Sequence, residues 1–365
     1  MRRPVPAGAT LVAKIGSSSL TGGAVGLAPG AISTAVDHVA GAWRAGHPTV
    51  LVTSGAVAAG LPALKMSSRP GDVPGLQVAA AVGQGRLMHR YTEEFDRRGL
   101  VAGQVLLTKS VLADREQYLH ARTALSRMLA SGVVPIVNEN DTVAVEELRL
   151  GDNDRLAALV SHLVDAKLLI LLTDTAGLHA SDPRTDDAAE LLSAVRHTDE
   201  ILDRLAHGGS GPLGSGGIGT KVAAARMAAW SGIPTVIAAA SNPAAVSAAI
   251  AGEDVGTWVE PRPDRLPARK LWIAFGQPSE GTLHVDAGAV RALVHDGRSL
   301  LPVGITGVDG TFGVGSAVEV KGPDGALVAK GISRMSADYL APMVGERSDF
   351  GEAIHRDDLV VLVAR

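Results

Sequence analysis

The chain has 365 residues, 46% of them hydrophobic and only 3% aromatic, with a formal net charge of −4 and a pI near 6.3. This balance gives no global attraction to nucleic acid or to an anionic membrane surface, and the lack of cysteine excludes disulfides, thiol catalysis and Cys-ligated zinc. The length favours two domains. No apolar run reaches the roughly 18 residues that span a bilayer. Pro6, Gly8 and Lys14 break any signal-like stretch after the basic Arg2-Arg3, so a cytoplasmic protein is expected.

Up to about residue 260, strand-like and helix-like runs alternate. The strand candidates are 11–15, 49–53, 101–107, 133–137, 168–173 and 235–239. They are continuously apolar rather than alternating, the pattern of strands covered on both faces of a parallel sheet. Between them, amphipathic helices are predicted over 29–45, 73–98, 115–130, 155–165 and 220–231. In the first of these, Ile32, Val36, Val39 and Trp43 share one face. The alternation predicts an α/β fold, a three-layer αβα sandwich around a mostly parallel sheet.

The pattern changes at Glu260-Pro261-Arg262-Pro263. Short strand candidates follow at 270–275, 318–320, 326–332 and 359–363, with a helix over 288–293 and turn signals at Asp309-Gly310 and Pro323-Asp324-Gly325. The expected organisation is a first domain over 1–260, a linker over 261–269 and a small, mostly β domain over 270–365.

Five features carry chemistry. Lys14 ends the first strand before Gly16-Ser17-Ser18-Ser19. A lysine in an apolar strand either reaches solvent or meets an anion. Thr53-Ser54-Gly55 follows the second strand and opens a helix, as an ordinary turn or as a cradle of backbone amides. Asn138, Asp141, Asp152, Asn153 and Asp154 gather after the fourth strand and at the next helix start. They exceed what turn capping needs, and no histidine or calcium-loop spacing accompanies them. Thr173-Asp174 closes the most apolar strand, in the crevice where open α/β sheets bind ligands. The segment Gly214-Ser215-Gly216-Gly217-Ile218-Gly219 fits G-x-G-x-x-G but follows a helical stretch rather than a strand. It ends in Thr220-Lys221, not the Lys-Ser/Thr of a Walker loop. Its glycine amides, the helix start and Lys221 still suit phosphate. Together these parts predict phosphoryl transfer, with Lys14 and Lys221 flanking the moving group, Asp174 holding them and magnesium on the nucleotide. No residue of the protein is expected to ligate a metal. Asp141 suits an ammonium, and amides such as Asn153 suit a carboxylate.

In this order, Lys14-Ile15-Gly16-Ser17-Ser18, Thr53 to Gly60, Asn138-Glu139-Asn140-Asp141, Gly151-Asp152-Asn153-Asp154, Thr173-Asp174 through Asp182-Pro183-Arg184 and Gly216 to Lys221 resemble the amino acid kinase family, in its glutamate-phosphorylating branch. The one departure is Ile218-Gly219, where that family more often carries a pair such as Met-Ser. The segment after 270 resembles a PUA domain, a small β-barrel, at Gly288-Ala289, Leu301 to Ile305 and Ala329-Lys330-Gly331. The resemblance implies ATP- and magnesium-dependent phosphorylation of the γ-carboxylate of L-glutamate, the first step toward proline. It implies Lys14, Lys221 and Asp174 as catalytic residues. It places Ser54, Gly55, Asp141 and Asn153 on glutamate, with Asn138, Asp152 and Asp154 close by. Lys14, Thr173, Asp174, Ser215, Gly216, Gly217, Ile218, Gly219, Thr220 and Lys221 would line the ATP site. L-proline feedback, a dimer or tetramer, and hand-over of product to glutamyl phosphate reductase are further implications. The C-terminal segment is nearly charge-neutral, so RNA binding through it is not expected.

Overall fold

The computed structural model describes all residues except 1, 24, 109–113, 144–152, 184, 185, 187, 208–216, 264, 277, 278, 347–350, 364 and 365. The chain divides into two compact units, Met1–Arg265 and Leu266–Arg365.

In the first unit, eight strands form one sheet: β1 (Leu11–Ile15), β2 (Thr49–Val52), β3 (Val101–Leu107), β4 (Val133–Glu139), β5 (Leu168–Thr173), β6 (Ala194–Arg196), β7 (Thr235–Ala239) and β8 (Thr257–Glu260). Their order across the sheet is β3-β4-β2-β1-β5-β7-β8-β6. All pairs are parallel except β7 with β8. The short β6 and β8 extend the sheet beyond the strands predicted. The outer strand β3 is largely exposed, with Val101 61% accessible; its apolar run reads like a central strand but lies at an edge.

Strand alternation decides which side of the sheet each residue faces. Leu11, Ala13 and Ile15 join one core with Val36 and Val39 of the helix Ala31–Arg44 and with Leu87 and Tyr91 of the long helix Val73–Asp96. Lys14, out of phase with them, faces the opposite layer, where the helix Asn153–Leu163 lies. The registers Lys14↔Val52, Val52↔Val137 and Lys14↔Leu171 bring the C-terminal ends of β1, β2, β4 and β5 to one level. The chain passes from β1 to β2 on one side and later lays β5 on the other. That reversal makes a crevice at the C-terminal end of β1.

The long helix Val73–Asp96 begins at Asp72, whose carboxylate accepts from Gly75 N at 2.6 Å. It crosses the short helix Ala56–Gly60 at van der Waals contact of the two backbones. A Cβ on Gly60 would overlap the carbonyl oxygen of Ala79, and one on Gly83 would overlap that of Ala56. Only glycine permits this crossing, which ties the long helix to the turn that follows β2.

In the second unit, β9 (Gly281–Val285), β10 (Ile305–Gly310), β11 (Ala317–Lys321), β12 (Leu327–Ile332) and β13 (Leu359–Val361) form a sheet in the order β10-β9-β11-β12-β13. A barrel is expected from the sequence; among the described residues the sheet has no pair joining β10 to β13. Leu283, Val320, Leu293 and Ile354 lie in its core. The strand predicted over 270–275 is instead the helix Ala268–Leu271 running into a π-helical turn, Trp272–Gly276. Pro267 starts it, its carbonyl accepting from Lys270 N and Leu271 N.

Gly83→Ala should destabilise the protein by about 1–3 kcal/mol, because backbone at the crossing cannot move aside as a side chain would. Gly85→Ala, two residues on, meets open space and should be neutral or stabilising by roughly 0.5–1 kcal/mol. Urea midpoints at constant m-value compare the two; equal destabilisation would remove the crossing as the cause.

Candidate active site

Asp154 sits at the second position of the helix Asn153–Leu163 and is completely buried. Its Oδ1 lies 2.7 Å from Lys14 Nζ, and its Oδ2 lies 3.2 Å from Lys221 Nζ. Thr220 Oγ1 is 2.7 Å from the same Oδ2. Both lysines are buried as well, at 2% and 7% exposure. Burial alone would raise the Asp154 carboxyl; the charges of Lys14 and Lys221, then hydrogen bonds from Lys14 and Thr220, reverse this and hold it at about 2. Lys221 stands in the first turn of the helix Ile218–Trp230, which Gly217 caps without a side-chain bond. The helix start and two ammonium groups therefore converge, an arrangement suited to phosphate. A Cβ on Gly16 would stand 3.4 Å from Lys14 Nζ, at ordinary van der Waals contact, so the turn passes directly beside this ammonium.

Next to this trio runs a chain of side-chain amides. Asn153 Nδ2 donates to Thr53 O (2.8 Å), Ser54 Oγ (2.9 Å) and Asn138 Oδ1 (3.0 Å). Glu139 N donates to the same Asn138 Oδ1 at 2.9 Å, and Asn138 Nδ2 donates to Gln84 Oε1 at 2.8 Å. Gly55 follows Ser54 with φ +97°, in the left-handed region, and a side chain there would press on Leu20. Asp141 lies just beyond β4 beside Arg69, whose guanidinium burial pushes down while the Asp141 carboxylate pulls it up.

The structure brings Lys14, Lys221 and Asp154 into one cluster, and Ser54, Asn138 and Asn153 into another that meets it at the adjacent residues Asn153 and Asp154. It moves one role. Asp174 is exposed, and Thr173 Oγ1 donates to it at 3.0 Å. The carboxylate that holds both lysines is Asp154, because the helix start buries it between them whereas Asp174 stands past the end of β5. Asn153 also differs from expectation. Its NH2 is engaged by three protein acceptors, and its buried Oδ1, without a partner among the described residues, can only accept and so cannot serve as a donor to a carboxylate. Gly217, Ile218, Gly219 and Thr220 lie at the lysine-bearing helix start. Asp152, Ser215 and Gly216 lie outside the described residues.

Sequence reasoning missed the contribution of the long helix. Gln77 Nε2 donates to Thr142 O at 3.1 Å, Gln84 accepts from Asn138, and the Tyr91 hydroxyl meets Thr53 Oγ1 at 2.7 Å. These three residues are spaced by seven, which puts them on one helix face. That spacing of polar residues within an otherwise apolar pattern was the available signal.

Asp154→Asn should lower stability by about 3–5 kcal/mol near neutral pH, since it leaves two buried ammonium groups without their shared carboxylate. The folded value near 2 lies below the ordinary 3.8. The stabilisation is therefore fully present above about pH 4 and is lost as pH falls toward 2. Urea unfolding across that range should show the wild-type and Asn proteins converging; a constant gap would contradict the trio's electrostatics.

The sequence profile of the amino acid kinase family matches residues 9–239, and that of the PUA domain matches residues 281–355. A glutamate 5-kinase of Frankia casuarinae is 46% identical, covering 97% of this chain and 96% of its own. Those of Moorella thermoacetica and Rhodococcus opacus are 44% and 45% identical, covering 96% and 99% of this chain and the same shares of their own. On a family match of this extent and relatives aligned end to end, the chain belongs to the amino acid kinase family.

Proposed function

We propose that the chain transfers the γ-phosphoryl group of ATP to the γ-carboxylate of L-glutamate, forming L-glutamyl 5-phosphate, the first step of proline biosynthesis. The observation that carries this reading is the junction of a buried two-lysine, one-carboxylate cluster with an amide-lined acceptor region at consecutive residues, Asp154 and Asn153. The end-to-end relatives named glutamate 5-kinase support the same substrate.

In this mechanism a γ-carboxylate oxygen attacks the γ-phosphorus of ATP. The new O–P bond forms as the bond to the β,γ-bridging oxygen breaks, and ADP leaves with that electron pair. The carboxylate is already ionised, so no base is needed and no side chain becomes a nucleophile. What the protein supplies is position and charge. Lys14 and Lys221, held in place by Asp154, face the oxygens on which charge accumulates. Gly217, Ile218, Gly219 and Thr220 approach the nucleotide phosphates closely, and Thr173 and Asp174 border that side from β5. Ser54 and Gly55 line the acceptor crevice. Asp141 and Asn153 Oδ1 provide two acceptors for a free ammonium, which favours glutamate over an N-acetylated acceptor.

Among the described residues, no three His, Asp or Glu side chains gather to hold a metal. In this reading magnesium travels with the ATP phosphates, where it would neutralise charge, and no step is assigned to protein-bound metal. The family resemblance also supports inhibition by L-proline, a homo-oligomer, a cytoplasmic location and transfer of the labile acyl phosphate to glutamyl phosphate reductase. A structural or regulatory role for the second unit suits its nearly neutral charge better than RNA binding does. No described helix is long and apolar enough to cross a membrane.

The test is ADP release with Mg-ATP across L-glutamate, N-acetyl-L-glutamate, L-aspartate, carbamate and UMP, with hydroxylamine as trap. Hydroxamate from glutamate alone is expected; turnover with another acceptor would overturn the assignment of Asp141 and Asn153. In the same assay, Lys221→Ala should lower kcat by roughly 100-fold or more with a smaller change in glutamate KM, since its charge acts on the transferring group. Unchanged kcat would remove Lys221 from the mechanism.

A further inference from the structure

Three amides, Gln84, Asn138 and Asn153, form a relay whose orientation two backbone groups fix. Thr53 O can only accept, so the Asn153 atom facing it is Nδ2. Glu139 N can only donate, so the Asn138 atom facing it is Oδ1, which also takes Asn153 Nδ2. Asn138 is then left with Nδ2 toward Gln84, and Gln84 must answer with Oε1. The remaining Gln84 atom is Nε2. It is buried and, among the described residues, has no hydrogen-bond partner. A buried donor left without an acceptor is disfavoured, so this N–H requires an explanation.

The relay has two open ends of opposite character, the acceptor Asn153 Oδ1 and the donor Gln84 Nε2. It also runs in one direction. Lys14 is on β1, Thr53 and Ser54 follow β2, Asn138 is on β4, and these strands are neighbours in that order. Successive strands lie roughly 5 Å apart, so the relay leads away from the lysines by about the length of a glutamate molecule. If the γ-carboxylate reacts beside Lys14 and Lys221, the α-carbon lies toward β4 and the long helix. Asn153 Oδ1 then suits the ammonium, and a donor is needed for the α-carboxylate.

We propose that Gln84 is a substrate-binding and specificity-determining residue whose Nε2–H donates to the α-carboxylate of the acceptor amino acid. This rests on the acceptor reading above. The long helix is built to hold that donor still: its backbone is locked against the Ala56–Gly60 helix at Gly83, the residue before Gln84. On the same face Gln77 binds Thr142 O and Tyr91 binds Thr53. Recognition by a donor on a rigid helix rejects acceptors that lack the α-carboxylate, because the amide is then left unpaired.

Gln84→Glu separates contact from mere positioning. The new side chain keeps an oxygen for Asn138 but replaces the donor with a carboxylate oxygen facing the substrate's own. The L-glutamate KM should rise roughly tenfold or more, with KM for ATP unchanged. L-isoglutamine, whose α-carboxamide can donate where glutamate's carboxylate accepts, should gain in kcat/KM relative to glutamate in this variant. A positioning role alone predicts a near-wild-type glutamate KM for Gln84→Glu and a raised one only for Gln84→Leu, which loses the bond to Asn138. That pattern, or equal rises in the KM values for glutamate and ATP, overturns the assignment. Failure of the wild-type protein to form hydroxamate from glutamate would instead overturn the acceptor reading itself, and this assignment with it.

Discussion

One fully buried carboxylate sets the geometry on which the site depends. Asp154 draws Lys14 from the first strand and Lys221 from a helix more than 200 residues later in the sequence onto its two oxygens. Each lysine reaches it for a local reason. Strand alternation turns Lys14 away from the layer that takes Ala13 and Ile15, and the first turn of Ile218–Trp230 directs Lys221 toward the same layer. The residue before Asp154, Asn153, belongs to the amide cluster with Ser54 and Asn138. One helical turn thus joins the lysine cluster to the amide cluster, and in the proposed mechanism its backbone geometry spaces phosphate from acceptor.

The acceptor half gains accuracy in a different way. Its amides bond to one another and to the backbone of Thr53 and Glu139, so Asn138 and Asn153 have little freedom to turn. The long helix Val73–Asp96 supports them from outside through Gln77, Gln84 and Tyr91. Burial of the Tyr91 phenol pushes its pKa up, against the pull of the Thr53 bond, so the hydroxyl stays protonated. The amides and hydroxyls of this network carry no charge near neutral pH, so their contribution is position rather than field.

Much of this was legible in the residues. The apolar runs that became β1, β2, β4, β5 and β7 read correctly because strands covered on both faces are continuously apolar. The run at 270–275 did not, since a short apolar stretch is equally compatible with a helical turn, and Pro267 rather than apolar content decided the outcome. β9 and β10 carry Gly, Thr, His and Asp and show no strong pattern. In the site, the lysines stood out because a cation inside an apolar strand or at a helix start needs a reason. Which carboxylate supplied it did not. Asp154 and Asp174 both end or begin an element at the crevice, and only the packing of Asn153–Leu163 against β1 distinguishes them. Gln84 showed in the sequence only as one of three polar residues spaced by seven, and its partner is visible only when Asn138, 54 positions away, is placed beside it.

The lysine cluster is a poor device for stability. Three charged groups removed from water lose hydration that their mutual attraction only partly restores, and apolar side chains of similar volume would often hold the layer together as well or better. Within the trio, cations outnumber the anion two to one, which worsens this in the absence of a ligand. The imbalance has a physical use in phosphoryl transfer. Negative charge moves from the γ-phosphate oxygens toward the β,γ-bridge during the reaction, and groups already oriented and already desolvated stabilise it without reorganising. Asp154 is needed because two bare ammonium groups would repel each other out of that position, and because a single carboxylate pairs them without cancelling them. A second carboxylate within the trio would improve folding and neutralise the field; a missing one would scatter the lysines. The ratio within the trio pairs both cations on one anion and, in the proposed transfer, leaves the trio's own charge positive toward the phosphate.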